Sequence, residues 1–256
     1  MMNLEHRRVY LVDGVRTPFL KARSGPGPFT PVDLAVQCGR PLLARQAFDP
    51  SVFDLVILGC VNVIADEMNP VRVAALRLGL PERTVAFSVQ INCGSGMQSI
   101  DTAYRYIRAG SHQMILAGGA EALSHAPLTL RASAVDWFGK MNAAKGPLDQ
   151  AKAMAGIRPE FFKPVVGLER GLTDPITTLS MGQTAEVLAH HFNIDRKTAD
   201  TYAMQSHHRL AAAQKEGRLK QEVMPAFDRD GTVYDHDDGV RPDSDMAGLS
   251  KPNPVF

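Results

Sequence analysis

Residues 88–99 read SVQINCGSGMQS. They join two different patterns. The β-type run TVAFSVQI at 84–91 ends just before Cys93, and Gly94 and Gly96 follow the cysteine. Beyond them Met97, Ile100, Ala103, Tyr104 and Ile107 recur at helical spacing until Gly110 supplies a stop. The stretch therefore predicts a strand, a sharp turn and a helix, with a thiol at the joint. Such a residue lies at the carboxyl edge of a sheet, where α/β folds keep their ligand crevices. A helix start also favours negative charge, which eases thiolate formation. The two glycines permit a tight turn, and their N–H groups are candidates to face a developing oxyanion. In mechanical terms this is a nucleophile elbow with sulfur in place of oxygen. Spacing alone leaves a second reading equally open, because free cysteine is among the most buried residue types and a small buried residue fits the same strand end.

The flanking sequence extends the alternation. An apolar run at 9–13 that breaks at GVRTPF predicts a strand entering a loop, and TPVD at 30–33 opens a helix reaching about residue 46. DLVILGCV at 54–61 is a continuous apolar run, as expected of a strand buried on both faces. Residues 71–78 read as a helix closed by Gly79, and QMILAGGAE at 113–121 as another strand. Strands alternating with helices argue for an α/β layer with a largely parallel sheet over residues 1–120. Cys38, inside the first helix, and Cys60, at the end of an apolar strand, read as buried filler.

From 121 to 180 the chain is rich in Gly, Pro and Met, and 131–170 carries seven Lys/Arg against four Asp/Glu. Residues 182–217 read as helical, with Asp195 as an N-cap and Ala199, Tyr202, Ala203 and Leu210 as a core-facing stripe. The paired histidines 190/191 and 207/208 point different ways on such a helix and read as surface residues. Residues 228–245 hold seven Asp and two Arg, a run that reads as a solvated loop.

A length of 256 residues suits one large domain or two smaller ones. With 28 Lys+Arg against 27 Asp+Glu the net charge is +1, which exerts no overall pull on nucleic acid or an anionic membrane. The opening lacks a signal-like apolar region, and no run approaches the roughly 20 apolar residues of a membrane span. Three cysteines without a CxxC pair or a His cluster argue against a metal site or disulfide framework, and predict a reducing cytoplasm.

NCGSGMQSIDTAYRYIRAG at 92–110, followed by AGGAEALS at 117–124, resembles the thiolase family at the segment carrying its acyl-accepting cysteine. DGVRTPF at 13–19, SMGQTAE at 180–186 and GVRPDSDMAGLSKPNPVF at 239–256 resemble further family motifs in the same order. The resemblance implies a thiolase-like α/β fold. Its βαβ core would cover 1–120, an inserted helical loop domain 121–249, and a return toward the core 250–256, with the C-terminal half absent. It implies an acyl-CoA acyltransferase working through an acyl-Cys93 intermediate, by thiolytic cleavage of a 3-ketoacyl-CoA or the reverse Claisen condensation. Fatty-acid β-oxidation or acetoacetyl-CoA metabolism would be the setting. Coenzyme A would be a substrate, with no permanently bound cofactor and no metal, in a homodimer or tetramer.

By the same resemblance Met181 lines the acyl pocket, and Ser180 stands where several members have a His. Arg241 matches an arginine near the CoA nucleotide. Gly248 takes the place of a common pantetheine-contacting Ser, and Phe256 matches an aromatic on the pantetheine path. The family's NE, GHP and CxGGG motifs do not occur in these residues, so the chain alone is expected to be inactive or to need a complementary C-terminal half. A non-catalytic CoA-binding or dimerising fragment is one alternative. A ketosynthase-like condensing enzyme is another, although CGSG and MGQTAE favour thiolase.

Overall fold

Thr30 starts the first helix. In the computed structural model, which describes residues 7–23 and 25–256, its hydroxyl accepts the Asp33 N–H at 3.1 Å and the Asp33 carboxylate accepts the Thr30 N–H at 3.2 Å. This capping box, with proline in the first turn, opens α1 (Pro31–Ala44). Then β1 (Leu55–Gly59), α2 (Pro70–Arg77), β2 (Val85–Val89), α3 (Ser95–Ala109) and β3 (Ile115–Gly119) alternate as the sequence predicts. Gly79 and Gly110 follow α2 and α3 with φ of 79° and 78°, the left-handed geometry that stops a helix.

The three strands are parallel in the order β2–β1–β3, with Leu55 opposite both Val85 and Ile115. Central β1 serves two layers, because successive side chains point to opposite faces. Val56 packs with Leu43, Phe53, Val71, Ala75 and Leu80 on the α1–α2 side. Leu55 and Ile57 pack with Ala103 of α3 on the other. That double burial is why the run is apolar without alternation.

Gly59 and Gly119 end β1 and β3 beneath the first turn of α3. A Cβ on Gly59 would stand 2.4 Å from the Ser95 carbonyl carbon, and one on Gly119 3.3 Å from Gly96 Cα. Only bare backbone lets the helix start rest on the strand ends. Ser99, fully buried, adds a bond from its hydroxyl to the Gly118 carbonyl at 2.6 Å.

The chain continues through β4 (Leu128–Thr129), α4 (Ala132–Ala143), α5 (Pro147–Ala155), β5 (Val165–Val166), α6 (Gly167–Gly171) and α7 (Met181–His191). After them come α8 (Arg196–Lys215), β6 (Ala226–Phe227), β7 (Val233–Tyr234) and α9 (Met246–Leu249). Two compact units result. Ala126–Glu186 forms the smaller, and Val187–Phe256 groups with the described residues up to His125 in the larger. The smaller unit pairs β4 with β5 antiparallel and gathers Trp137, Phe138 and Phe161, with the Trp137 indole N–H donating to Ala153 O at 2.7 Å. In the larger unit the Gln37 side chain of α1 donates to the Phe227 carbonyl at 2.8 Å, docking the β6–β7 hairpin.

Three sequence expectations need correction, and the buried face of α3 is a finding the sequence did not reveal. Residues 9–13 form no strand: Tyr10, Leu11 and Val12 are exposed, since an apolar run becomes a strand only beside a partner and none pairs with it among the described residues. The helical stretch 182–217 is two helices, broken where Asn193 turns left-handed at φ 54° and Asp195 caps α8 by accepting the Thr198 N–H at 2.7 Å. No residue of α8 is buried, and Tyr202 is 71% exposed, so the supposed core stripe lies outside the core. On α3 the buried residues are Ser95, Ser99 and Ala103, while Met97, Ile100 and Tyr104 are exposed. Close seating on the strands selects small side chains over the larger apolar ones.

Candidate active site

The turn that presents Cys93 is built by its neighbours. Asn92 adopts φ 53°, a left-handed conformation that asparagine tolerates better than most residues. Gly94 N–H donates to Ile91 O at 3.2 Å and Ser95 N–H to Asn92 O at 3.1 Å. The buried Ser95 hydroxyl donates to Asn92 O at 2.7 Å and accepts the Ile91 N–H at 2.9 Å. Cys93 stands at the apex of this closed turn, exposed, two residues before α3. The buried-filler reading is thereby removed for Cys93. The Gly94 amide is engaged within the turn, so of the two glycine amides Gly96 is the remaining oxyanion candidate.

The other two thiols are chemically quieter. Burial pushes the Cys60 thiol up to about 12, with the negative charges of Glu121 and Glu67 adding to it. Burial likewise pushes Cys38 up to about 11, and its Sγ lies 3.4 Å from Val15 O. Glu121 has a second role that the sequence reading missed. Its carboxylate accepts the N–H groups of Val61 and Asn62 at 2.8 and 3.0 Å, tying the exit of β1 to that of β3 beside the elbow. An acid two residues after the glycine pair was the available signal.

The remaining expected site residues fall in two places. Ser180 and Met181 belong to the smaller unit at the start of α7. There the Ser180 hydroxyl accepts the Gln183 N–H at 3.2 Å while Gln183 Oε1 accepts the Ser180 N–H at 2.8 Å, a reciprocal helix cap. Met181 is 45% exposed. Arg241 and Gly248 lie together on one segment beside α8, and Phe256 is exposed at the end of that stretch. The Gly248 N–H donates to Asp245 Oδ1 at 2.7 Å, and a Cβ there would meet the same oxygen at 3.0 Å. No hydrogen bond joins Cys93 to any of these residues among those described.

Sequence reasoning also missed what holds this segment. The Arg241 N–H donates to His207 Nδ1 at 3.2 Å, and His208 Nε2 bonds the Ser244 carbonyl at 2.8 Å. Two of the four histidines read as surface residues, His207 and His208, therefore act as anchors. Positions 196, 207 and 214 share one helical face, which was the only available hint. The acidic run is likewise more than a solvated loop. Asp237 is 5% exposed and receives Arg16 at 2.7 and 2.9 Å and the Phe19 N–H at 2.7 Å. Hydrogen bonds from Arg16 hold its carboxyl below the usual carboxylate range. Among the described residues, no group of three His, Cys, Asp or Glu side chains is placed to hold a metal ion, and no helix is long and apolar enough to cross a membrane.

Known proteins resemble this chain in sequence and fold. The family model described as thiolase, N-terminal domain, matches residues 9–256. A 3-ketoacyl-CoA thiolase of Aliivibrio fischeri is 30% identical over 250 residues, covering 97% of this chain and 56% of the relative. A probable acetyl-CoA acyltransferase of Staphylococcus aureus is 32% identical over 253 residues, covering 97% and 60%. The crystal structure of human mitochondrial 3-ketoacyl-CoA thiolase in complex with CoA superposes with a TM-score of 0.79 at 30% identity, over 94% of this chain and 56% of that one. Bacillus anthracis acetyl-CoA acetyltransferase gives 0.78 at 28% identity, over 94% and 57%. The chain thus spans little more than half the length of these relatives. Sequence and fold agree along nearly all of its own length, and on that agreement the chain belongs to the thiolase family, over the reach of the family's N-terminal domain.

Proposed function

We propose that this chain supplies the acyl-carrying part of an acyl-CoA acyltransferase of the thiolase type, with Cys93 as nucleophile. The observation that carries the reading is the exposed thiol at a closed turn on the carboxyl edge of a parallel sheet. In the cleavage direction the Cys93 thiolate attacks the ketone carbon of a 3-ketoacyl-CoA. The bond between that carbon and its neighbour breaks, acetyl-CoA leaves as an enolate and takes up a proton, and the acyl group remains as a thioester on sulfur. The thiol of a second CoA then accepts the acyl group and releases Cys93. The reverse sequence is a Claisen condensation. Coenzyme A is a substrate throughout.

This chemistry needs a base for the thiol, an acid for the enolate and further oxyanion donors. No histidine or acid hydrogen-bonds Cys93 among the described residues, so we assign those roles to residues beyond these 256. In the same reading Met181 and Ser180 border the acyl chain, Arg241 meets the CoA nucleotide, and Gly248 and Phe256 lie along the pantetheine. Residues 1–120 serve as the core, 121–249 as the inserted loop domain and 250–256 as the return, in a homo-oligomer acting in the cytoplasm on fatty-acid or acetoacetyl-CoA intermediates.

The test follows loss of 3-ketoacyl-CoA absorbance on adding CoA, with mass mapping of the acylated peptide. The full-length protein turns over and carries the acyl group on Cys93, and Cys93→Ala abolishes both. The 256-residue chain alone falls below detection, since even one lost oxyanion donor costs ~10²–10³ in rate. Turnover by full-length Cys93→Ala overturns the reading. Transfer only from an acyl-carrier protein would mark a ketosynthase, and CoA binding without acylation a non-catalytic module.

A further inference from the structure

Side chains of α8 bind one later segment that runs in the reverse direction, with only the adjacent His207 and His208 taking their partners in forward order. Gln214 Nε2 donates to Asp237 O at 3.4 Å, and His207 Nδ1 accepts the Arg241 N–H at 3.2 Å. His208 Nε2 bonds Ser244 O at 2.8 Å, and the Thr201 hydroxyl reaches Met246 Sδ at 3.7 Å. Arg196 Nη2 then donates to Leu249 O at 2.6 Å and Pro252 O at 3.3 Å. From 214 back to 196 the helix covers about 27 Å at its ordinary rise, and over that length residues 237–252 run antiparallel to it as a strap. Every one of these bonds except Thr201–Met246 goes to the strap's backbone.

The strap is thus fixed without using most of its own side chains. Arg241 is exposed, and its guanidinium makes no hydrogen bond or ion pair among the described residues. What fixes the backbone at Arg241 from α8 is the imidazole of His207. Because Nδ1 accepts an amide proton there, that nitrogen must carry its lone pair, leaving any ring N–H on Nε2. The neighbouring bonds at Gln214, His208 and Arg196 hold the strap on either side, so removing the His207 bond loosens the aim of Arg241 without detaching the segment.

We propose that His207 is a positioning residue for ligand binding: it orients Arg241 so that the guanidinium meets the phosphate-bearing end of CoA. The proposal rests on the assignment of Arg241 to the CoA nucleotide made above. A guanidinium grips phosphate through paired, directional N–H groups, so its orientation matters more than a point charge's would.

The experiment titrates CoA into the full-length protein by calorimetry and measures acyl transfer on the same variants. Asparagine places a carbonyl oxygen near the site of Nδ1, whereas glutamine places it near that of Nε2. His207→Gln is expected to weaken CoA binding by up to about tenfold, in line with the loss of one hydrogen bond. His207→Asn stays within about twofold of wild type. Arg241→Ala weakens binding by about as much or more, and adding His207→Gln to it changes nothing further, because the histidine acts through the arginine. In turnover, His207→Gln raises KM for CoA and leaves kcat near wild type. Equal binding by wild type and His207→Gln, additive losses in the double variant, or wild-type binding by Arg241→Ala each overturns the role of His207 while acyl transfer to Cys93 leaves the proposed function standing. Failure of the wild type to bind CoA or to acylate Cys93 overturns both.

Discussion

Iodoacetamide reacts with a thiolate it can reach, and the three cysteines differ in both respects. At pH 8 the thiolate fraction is about 10⁻⁴ for a thiol titrating near 12 and about 10⁻³ for one near 11, the positions to which burial pushes Cys60 and Cys38. Limited labelling with peptide mapping should therefore mark Cys93 first. Earlier modification at Cys38 or Cys60 would contradict the exposed-turn geometry. The place of Cys93 was legible in sequence, because a β-type run followed by two glycines and a helical period locates a joint. The bonds inside the joint were not. Spacing says that Gly94 is near the sulfur, but only the fold shows its N–H turned to Ile91 O and the Ser95 hydroxyl closing the turn from beneath.

The seating of α3 on β1 and β3 depends on missing side chains. A methyl on Gly59 would fall 2.4 Å from backbone that cannot rotate away, whereas one on Gly118 would sit 3.5 Å from Leu58 Cδ2, an ordinary contact. Overpacking a filled interior costs ~1–3 kcal/mol. Gly59→Ala should fall at the upper end, about 3 kcal/mol by urea denaturation, and should slow acylation of Cys93. Gly118→Ala serves as the control and should stay close to wild type in both. A Gly59→Ala variant with unchanged stability would mean that the helix start can retreat freely. Element boundaries were readable from caps and glycine stops, because those signals act within a few residues. Which face of α3 would be covered was not, since Met97, Ile100 and Tyr104 mark an apolar face whether or not anything lies against it.

Across the whole larger unit, the Arg16–Asp237 pair joins residues 221 positions apart. Arg16 also meets Glu222 at 2.9 Å, and backbone bonds to Glu222 and Met224 flank it. The Asp237 carboxyl is held below the usual range by Arg16, so it contributes stability in full above the ordinary aspartate value of about 3.9. That contribution fades as pH falls through the lower folded value. Asp237→Asn should cost about 3 kcal/mol at neutral pH, the low end for breaking a buried pair, and should flatten this part of the acid dependence. Denaturation curves from pH 7 to 2 check it, and parallel curves for the two proteins would sink the idea. Local composition concealed this pair: a run with seven aspartates looks solvated until one of them finds a partner at the other end of the chain.

The strap along α8 bears on how such a molecule changes over generations. Its mount grips carbonyls and an amide, groups that every residue possesses, and the helix side chains that hold it sit outside the strap itself. Outward-facing residues between 237 and 252 are therefore replaceable without loosening what carries them. On the role proposed for this segment, its exposed side chains can drift under selection while the helix contacts, and the buried Asp237 at its start, stay constant.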